Sequence, residues 1–425
     1  MASKTKTFTR ALFAATAIHL FAAPAVLAGE VTVWFWDTKF NGAAMQEAAN
    51  RYKAVAPDTT ITLVDLAKAD LETKLQTQFA SGVTDGLPDI VLIDDLRAQL
   101  YLQSFAGSFE PLNGAIDHSQ FAPYKVAVAT VGENIYSLPF DSGVAGFYYR
   151  SDILAEAGYA AADMTDITWD RFIEIGIDVK AKTGHPLLSI DMANAAPFRM
   201  MLQSAGSWYF TPEGELNLVG NAAFKKAIET YSKMLQAGDT LWKPVSGWAE
   251  YTGAFTGGEV AAVPMTGVWI TGTVKSAADQ AGKWAVAPVP RLDIEGSVNA
   301  TNHGGSSWYV LSSSAEKTEA IDFLAQVWAK DADFYQKILV DQGAFATFLP
   351  AREGAAYSSA DDFFGGQTVW KDFSTWVQQI RPVNYGIFAG EVDAAILAQL
   401  PAMAAGENVD TIIENIAAQA KSAMQ

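Results

Sequence analysis

The sequence predicts an α/β protein with a doubly wound parallel sheet, divided between two lobes. Three observations carry this. Residues 31–95 alternate strand, helix, strand, helix, strand, the pattern of parallel strands joined by crossover helices. The third of these strands holds an unbroken apolar run, Ile90 to Ile93, bounded by Pro88 and Asp94, as a strand buried on both faces requires. The chain has 425 residues, 50% of them hydrophobic, and no flexible linker. That is enough for two or three domains, and without a linker the lobes must exchange chain segments.

The elements follow in order. In "VTVWFWD" Val31, Val33 and Phe35 point one way and Thr32, Trp34 and Trp36 the other, the period of a strand. A helix over 42–55 follows, with Asn41 as its expected cap. Strand 59–66 leads to a helix over 68–81, where Leu71, Leu75 and Phe79 share a face. Residues 134–158 contain two short apolar strands around Leu138-Pro139-Phe140-Asp141, then a helix stopping at Gly158. Thr168 caps another helix, and Asn221 caps an amphipathic one that Gly238 ends. Residues 315–329 and 390–424 also read as helical.

The N-terminus is set apart. Lys4, Lys6 and Arg10 precede a small apolar stretch from Ala11 to Leu27 that ends at Val26-Leu27-Ala28. Residues 1–28 therefore read as a secretory signal peptide cleaved near Ala28. A membrane anchor fits less well, because the stretch is short, is interrupted by His19 and Pro24 and lacks charged flanks. There is no cysteine, which excludes disulfides, thiolate metal sites, a cysteine nucleophile and a lipid-modified N-terminal cysteine. A periplasmic protein without a lipid anchor is expected. Without the leader the chain carries 26 basic against 47 acidic groups, a net −21. That disfavours nucleic acid and anionic headgroups as partners.

Several chemistries are missing. The four histidines are far apart, and no pair has metal-ligand spacing. No HExxH, G-x-S-x-G, phosphate loop or G-x-G-x-x-G occurs. Neither a metal nor a cofactor is expected. A glycosidase, which needs only two carboxylates, stays open, with Asp94 or Asp95 paired with Asp141.

What remains is aromatic content: 12 Trp, 14 Tyr and 24 Phe. Most belong in the core. Trp36-Asp37 and Asp94-Asp95 lie where strands end, on the side where such sheets bind ligands. An indole face covers the C–H face of a sugar ring, and carboxylates accept from its hydroxyls. Trp36-Asp37 supplies both.

Longer stretches carry a family resemblance. "ENIYSLPFDSGVAGFYYRSDILAEAG", "ITWDRF", "AFTGGEVAAVPMTGVWI", "GGSSWYVLSSSAEKTEAIDFLAQV" and "LPAR" occur in this order behind the leader. Together they resemble the extracellular solute-binding proteins of carbohydrate ABC importers, the group that includes maltose-binding protein. Arg150 stands where that family usually has Asn. The W-x-W-D opening and the missing lipid cysteine look most like the lactose- or oligosaccharide-binding members. The resemblance implies two lobes, each a mostly parallel sheet with flanking helices. Lobe one would be 29–138 and 306–343, and lobe two 142–302 and 348–425. The hinge would lie near 139–142, 302–306 and 343–348. A sugar would bind between the lobes without catalysis, and the monomeric protein would deliver it to permease subunits in the inner membrane. A polyol or a cationic or nitrogenous solute is the alternative ligand.

By position the family's ligand-binding residues fall on Trp36, Asp37, Asp94, Asp95, Asp141, Trp269, Asn384 and Tyr385. Trp269 would be the main stacking platform. Of Asp94 and Asp95, one is expected to cap a helix and the other to accept from ligand. Asp141 could instead bond backbone in a hinge turn. His303, Gly304 and Gly305 are weaker candidates that read as hinge backbone ahead of ligand contacts, and Asp191 and Arg199 are weaker still.

Overall fold

The computed structural model describes residues 1–2 and 29–425; the expected signal peptide and its cleavage site lie outside them. The strands are β1 (Glu30–Phe35), β2 (Thr60–Asp65), β3 (Ile90–Asp94), β4 (Thr130–Val131), β5 (Asn134–Ile135) and β6 (Ser137–Pro139). They continue with β7 (Ala145–Arg150), β8 (Leu188–Asp191), β9 (Trp242–Val245), β10 (Ala262–Gly267), β11 (Trp284–Pro288) and β12 (Ser306–Val310). The first sheet has the order β2-β1-β3-β12-β6. β1 pairs in parallel with β2 and β3, and β12 runs antiparallel to β3 and β6. The expected crossover helix is present at Lys68–Ser81, with Leu71 and Leu75 buried.

The second sheet, β10-β7-β11, is antiparallel throughout, which corrects the expectation of a mostly parallel sheet in each lobe. The small β8-β9 pair is parallel. The run "AGFYYR" is buried almost end to end, and such a run reads the same whichever way its neighbours point. Helices Trp169–Thr183 and Ala222–Ala237 begin at Thr168 and Asn221, whose side chains accept from the backbone amides of Arg171 and of Ala223 and Phe224. The C-terminal stretch divides into Ala389–Ala398, Leu400–Ala405 and Val409–Ala423, interrupted by Pro401 and by Gly406 at φ 76°.

The chain passes between the two sheets after β6, again between β11 and β12, and a third time after the helix Ala332–Gln342. The three passages touch. Asp141 bridges Ala346, Val144 bridges Asn302, and Ser142 N–H donates to Phe345 O at 2.9 Å. Contact is tightest at Gly143, where a Cβ would lie 2.3 Å from the His303 carbonyl oxygen. Gly143→Ala is therefore expected to destabilise the protein by roughly 1–3 kcal/mol through forced overpacking, measured by urea unfolding. An unchanged midpoint would mean that the passages separate freely.

Candidate functional site

β1 ends at Phe35; Trp36 follows, and Asp37 turns the chain with φ 63°, in the left-handed region that non-glycine residues seldom occupy. Asp37 Oδ1 accepts from Lys39 N at 3.0 Å and Phe40 N at 3.1 Å, starting the helical turn Thr38–Gly42. Asp37 is the cap, and the expectation for Asn41 is corrected. Asn41 Nδ2 donates to Trp36 O at 2.7 Å; its amide fixes the strand end because the carboxylate four residues earlier already satisfies the amides. Asp37 Oδ2 has no protein partner among the described residues. Lys68 Nζ sits 5.2 Å from the Trp36 ring centroid, a cation–π arrangement.

β3 ends at Asp94 and the following helix begins at Asp95, two carboxylates with different surroundings. Asp94 Oδ1 caps the helix Asp95–Ser104 through Leu96 N at 2.9 Å, and Oδ2 accepts from Lys68 Nζ at 2.7 Å. Burial would raise its pKa, but the Lys68 ammonium and these bonds outweigh that and hold it below the usual carboxylate value. Asp94 is thus both the cap and the acid that lines the cavities described below. Asp95 is fully buried, 2.5 Å from Lys125 Nζ, and accepts from Ser307 Oγ at 3.2 Å. Burial pushes it up to about 7 against the pull of Lys125. Of the two, Asp94 is the helix cap, as is expected of one of them; Asp95, the first residue of the helix, is buried and pairs with Lys125.

At the passages between the sheets, Asp141 Oδ1 accepts from both N and Oγ of Ser306 at 2.8 Å. Burial raises its pKa despite Lys125 and these bonds. Trp269 Nε1 donates to His303 O at 2.8 Å. Its ring centroid lies 5.9 Å from that of Trp248, which is exposed. Gly304 and Gly305 have φ 90° and 92°, a conformation that glycine adopts without steric cost. Burial, helped by the nearby Arg199 charge, pushes the His303 imidazole down to about 4, and its Nδ1 is buried without a partner.

His303 consequently gives a pH prediction. With its pKa lowered, the unfolded chain takes up the proton first. Stability from this group is whole above about 6.5 and is lost as the pH falls toward about 4. About 2–3 kcal/mol is at stake. Thermal melts of wild type and His303→Gln across this window check it, and parallel curves would refute it.

Two cavities share Asp94, His303 and Gly304. The first, about 350 Å³, brings together Trp36, Asp37, Asp94, Asp141, Trp269 and the 303–305 turn, with Trp248 beside Trp269. The second, about 490 Å³, is lined by Lys68, Glu72, Asp94, Asp95 and Arg97 on one side and by Arg199, Trp208 and Tyr385 on the other. Both volumes suit a small ligand, for which sites of about 300–1,000 Å³ are usual. Arg199 is ion-paired with Asp393, which Tyr209 Oη also bonds at 2.8 Å. Asn384 stands outside both cavities and donates to Thr211 O and Pro212 O, each at 3.3 Å. Asp191 lines neither; its carboxylate accepts from Ala193 N at 2.9 Å and Gly247 N at 3.0 Å. The sequence motifs do not mark Lys68 as a site residue. It opens the helix after β2, so the strand-end rule that marks Trp36 would also have marked it. Among the described residues, no group of three His, Asp or Glu could hold a metal ion, and no helix is long and apolar enough to cross a membrane.

A sequence profile of bacterial extracellular solute-binding proteins matches residues 47–365. The chain belongs to this family. A lactose-binding protein of Rhizobium radiobacter is 55% identical to this solute-binding protein over 412 residues, 97% of either chain. An extracellular solute-binding protein family 1 structure superposes with TM-score 0.78 at 21% identity, covering 93% of this chain and 100% of the other. An ABC transporter-associated binding protein of B. animalis subsp. lactis Bl-04, solved with β-1,6-galactobiose, has TM-score 0.73 at 23% identity, covering 93% and 96%. The solute-binding protein thus has the two-lobed α/β fold of these structures, and its paired cavities lie between the two sheets.

Proposed function

We propose that this protein captures a neutral sugar between its lobes and delivers it, as a monomer, to the permease of an ABC importer. The observation that carries this is the 350 Å³ cavity, where Trp36, Trp248 and Trp269 face a rim of Asp37, Asp94 and Asp141. Indole faces suit the C–H faces of a pyranose, and carboxylates suit its hydroxyls. The 55% identity to a lactose-binding protein favours a disaccharide containing galactose. Lobe one would be 29–138 with 306–343, lobe two 142–302 with 348–425, and the three touching passages the hinge. The sugar drives closure because both lobes line its cavities and can grip it better when closed. Residues 1–28 would direct export to the periplasm and be removed near Ala28.

Binding is favoured over hydrolysis by the carboxylates themselves. Asp94 is bonded to Lys68 and Leu96, Asp141 to Ser306, and Asp95 is buried on Lys125. None is poised as a general acid opposite a second free carboxylate. The test is to unfold and refold residues 29–425 to strip bound ligand, then titrate lactose, maltose, mannitol and a polyamine while following tryptophan fluorescence and melting. A sugar at 100 times its Kd should add about 2.7 kcal/mol of stability and be recovered intact. A response to mannitol or the amine alone would overturn the sugar assignment.

A further inference from the structure

A larger cavity, about 740 Å³, lies beside the third passage and shares no lining residue with the two already described. Its walls come from both sides of the passages. Pro123 and Tyr124 open the helix Pro123–Val128, which packs against β6 of the first sheet. Tyr124 Oη and Ser142 Oγ, 2.6 Å apart, fix this wall to the first passage. Ser374 and Thr375 belong to the helix Val369–Trp376, whose Phe373 ring meets Tyr148 of β7 at 6.0 Å between centroids. The rest is the chain that leaves the third passage, with Leu349, Arg352 and Tyr357.

This cavity holds donors that the protein leaves unsatisfied. Arg352 forms no ion pair among the described residues, and burial lowers its pKa with no carboxylate acting against it. Its Nε donates to Ala346 O at 3.2 Å and its Nη2 to Thr347 O at 3.4 Å, while Nη1 has no protein partner among the described residues. Phe345 supports the guanidinium, with its ring centroid 5.6 Å from Cζ. Tyr357 Oη accepts from Ala346 N at 3.0 Å, and its own hydrogen has no acceptor among the described residues although the side chain is buried. Arg352 and Tyr357 thus hold the carbonyl and the amide of one residue, Ala346, and stand close together with donors to spare. Buried polar groups ordinarily find partners, so a cation and a phenol left in this way suit an anionic oxygen from outside the chain.

The charge elsewhere does not override this. Glu353 and Lys371, both exposed, also line the cavity and offset one another, which leaves Arg352 uncompensated. The acidic balance of the whole chain acts from further away and is screened over about 8 Å at physiological salt. Size and apolar lining narrow the class. An inorganic anion would fill only a small part of 740 Å³ and would leave Leu349, Val377 and Ile380 uncovered. We infer that the cavity is a second ligand site, distinct from the sugar cleft, which takes a small organic carboxylate: the carboxylate pairs with Arg352 and accepts from Tyr357, and the apolar body lies along Leu349, Val377 and Ile380.

Ligand-observed NMR titration of residues 29–425 tests this with benzoate and hexanoate, each against its neutral amide, benzamide or hexanamide. At least one carboxylate is expected to bind with a Kd of about 1 mM or below, and about tenfold or more tightly than its amide. Arg352→Gln should remove that advantage. Because Arg352 also bonds the third passage, circular dichroism checks that the variant folds. Should it not fold, Thr375→Trp, which places a large ring in the cavity from an exposed position, carries the same expectation of about tenfold weaker carboxylate binding. The inference is overturned if neither carboxylate binds, if the amides bind as well as the acids, or if a folded Arg352→Gln or Thr375→Trp protein binds the carboxylate as wild type does, which would mark an adventitious contact. None of these outcomes bears on sugar binding in the cleft, whose residues are separate.

Discussion

Trp269→Ala is expected to weaken sugar binding by about 30- to 100-fold. Trp269 is partly buried, stands in the cavity beside Trp248 and is tied through Nε1 to the His303 carbonyl. An aromatic anchor in such a position contributes roughly 2–3 kcal/mol, and each 1.4 kcal/mol is about tenfold in Kd. Two roles are combined in this side chain, and a second variant separates them. Trp269→Phe keeps a ring face but removes the hydrogen bond that holds the passage at 303, so an intermediate loss of about tenfold is expected. Trp248→Ala should cost only a few-fold, because that ring is 55% exposed and its contacts are screened by water. Calorimetric titration of the three variants, with circular dichroism to verify folding, decides the matter. Affinity within twofold of wild type for Trp269→Ala would place the stacking surface elsewhere.

Lys125→Met should be the most destabilising of these substitutions. The Lys125 ammonium is fully buried, 2.5 Å from Asp95 and 2.9 Å from Ser306 O. It ties the helix Pro123–Val128 to the start of the helix Asp95–Ser104 and to β12. Removing it leaves a carboxyl enclosed by protein with no cation, a situation that costs about 3–5 kcal/mol. The loss depends on pH. Burial already raises Asp95 to about 7 with Lys125 in place, and without the ammonium its pKa rises further. The variant should therefore be weakest near pH 8 and recover toward pH 5, where Asp95 is buried as the neutral acid. Adding Asp95→Asn should restore a large part of the stability, since no charge is then buried. Urea midpoints at the two pH values test this; equal losses at pH 5 and pH 8 would show that packing, not charge, is what Lys125 provides.

The sheet-building signals in the sequence were local, and they led to the right elements. The run Ile90–Ile93, the face Leu71-Leu75-Phe79 and the caps Thr168 and Asn221 each depend on residues within a turn or two, so the chain itself contains the information. The strand-end rule reached Trp36, Asp37 and Asp94 because a parallel sheet places all its ligand-facing ends on one side. The motifs beyond position 134 identified the family through their order. Direction in the second sheet was not legible, since continuous apolar strands look alike in either orientation.

What the sequence determined by itself is therefore the family, the α/β class and the strand ends at which a ligand would be met. Tertiary structure alone decided that Asp94 is held by Lys68 while its neighbour Asp95 is buried on Lys125. It also decided that Arg199 pairs with Asp393 and that Trp248 shares a cavity with Trp36 and Asp141, each more than a hundred positions away. The physical reason is one of distance along the chain. A cap or an amphipathic face is settled by neighbours a few residues apart. The charge state of Asp95 and the walls of the cleft depend on groups brought together only when three separate passages of the chain pack against one another.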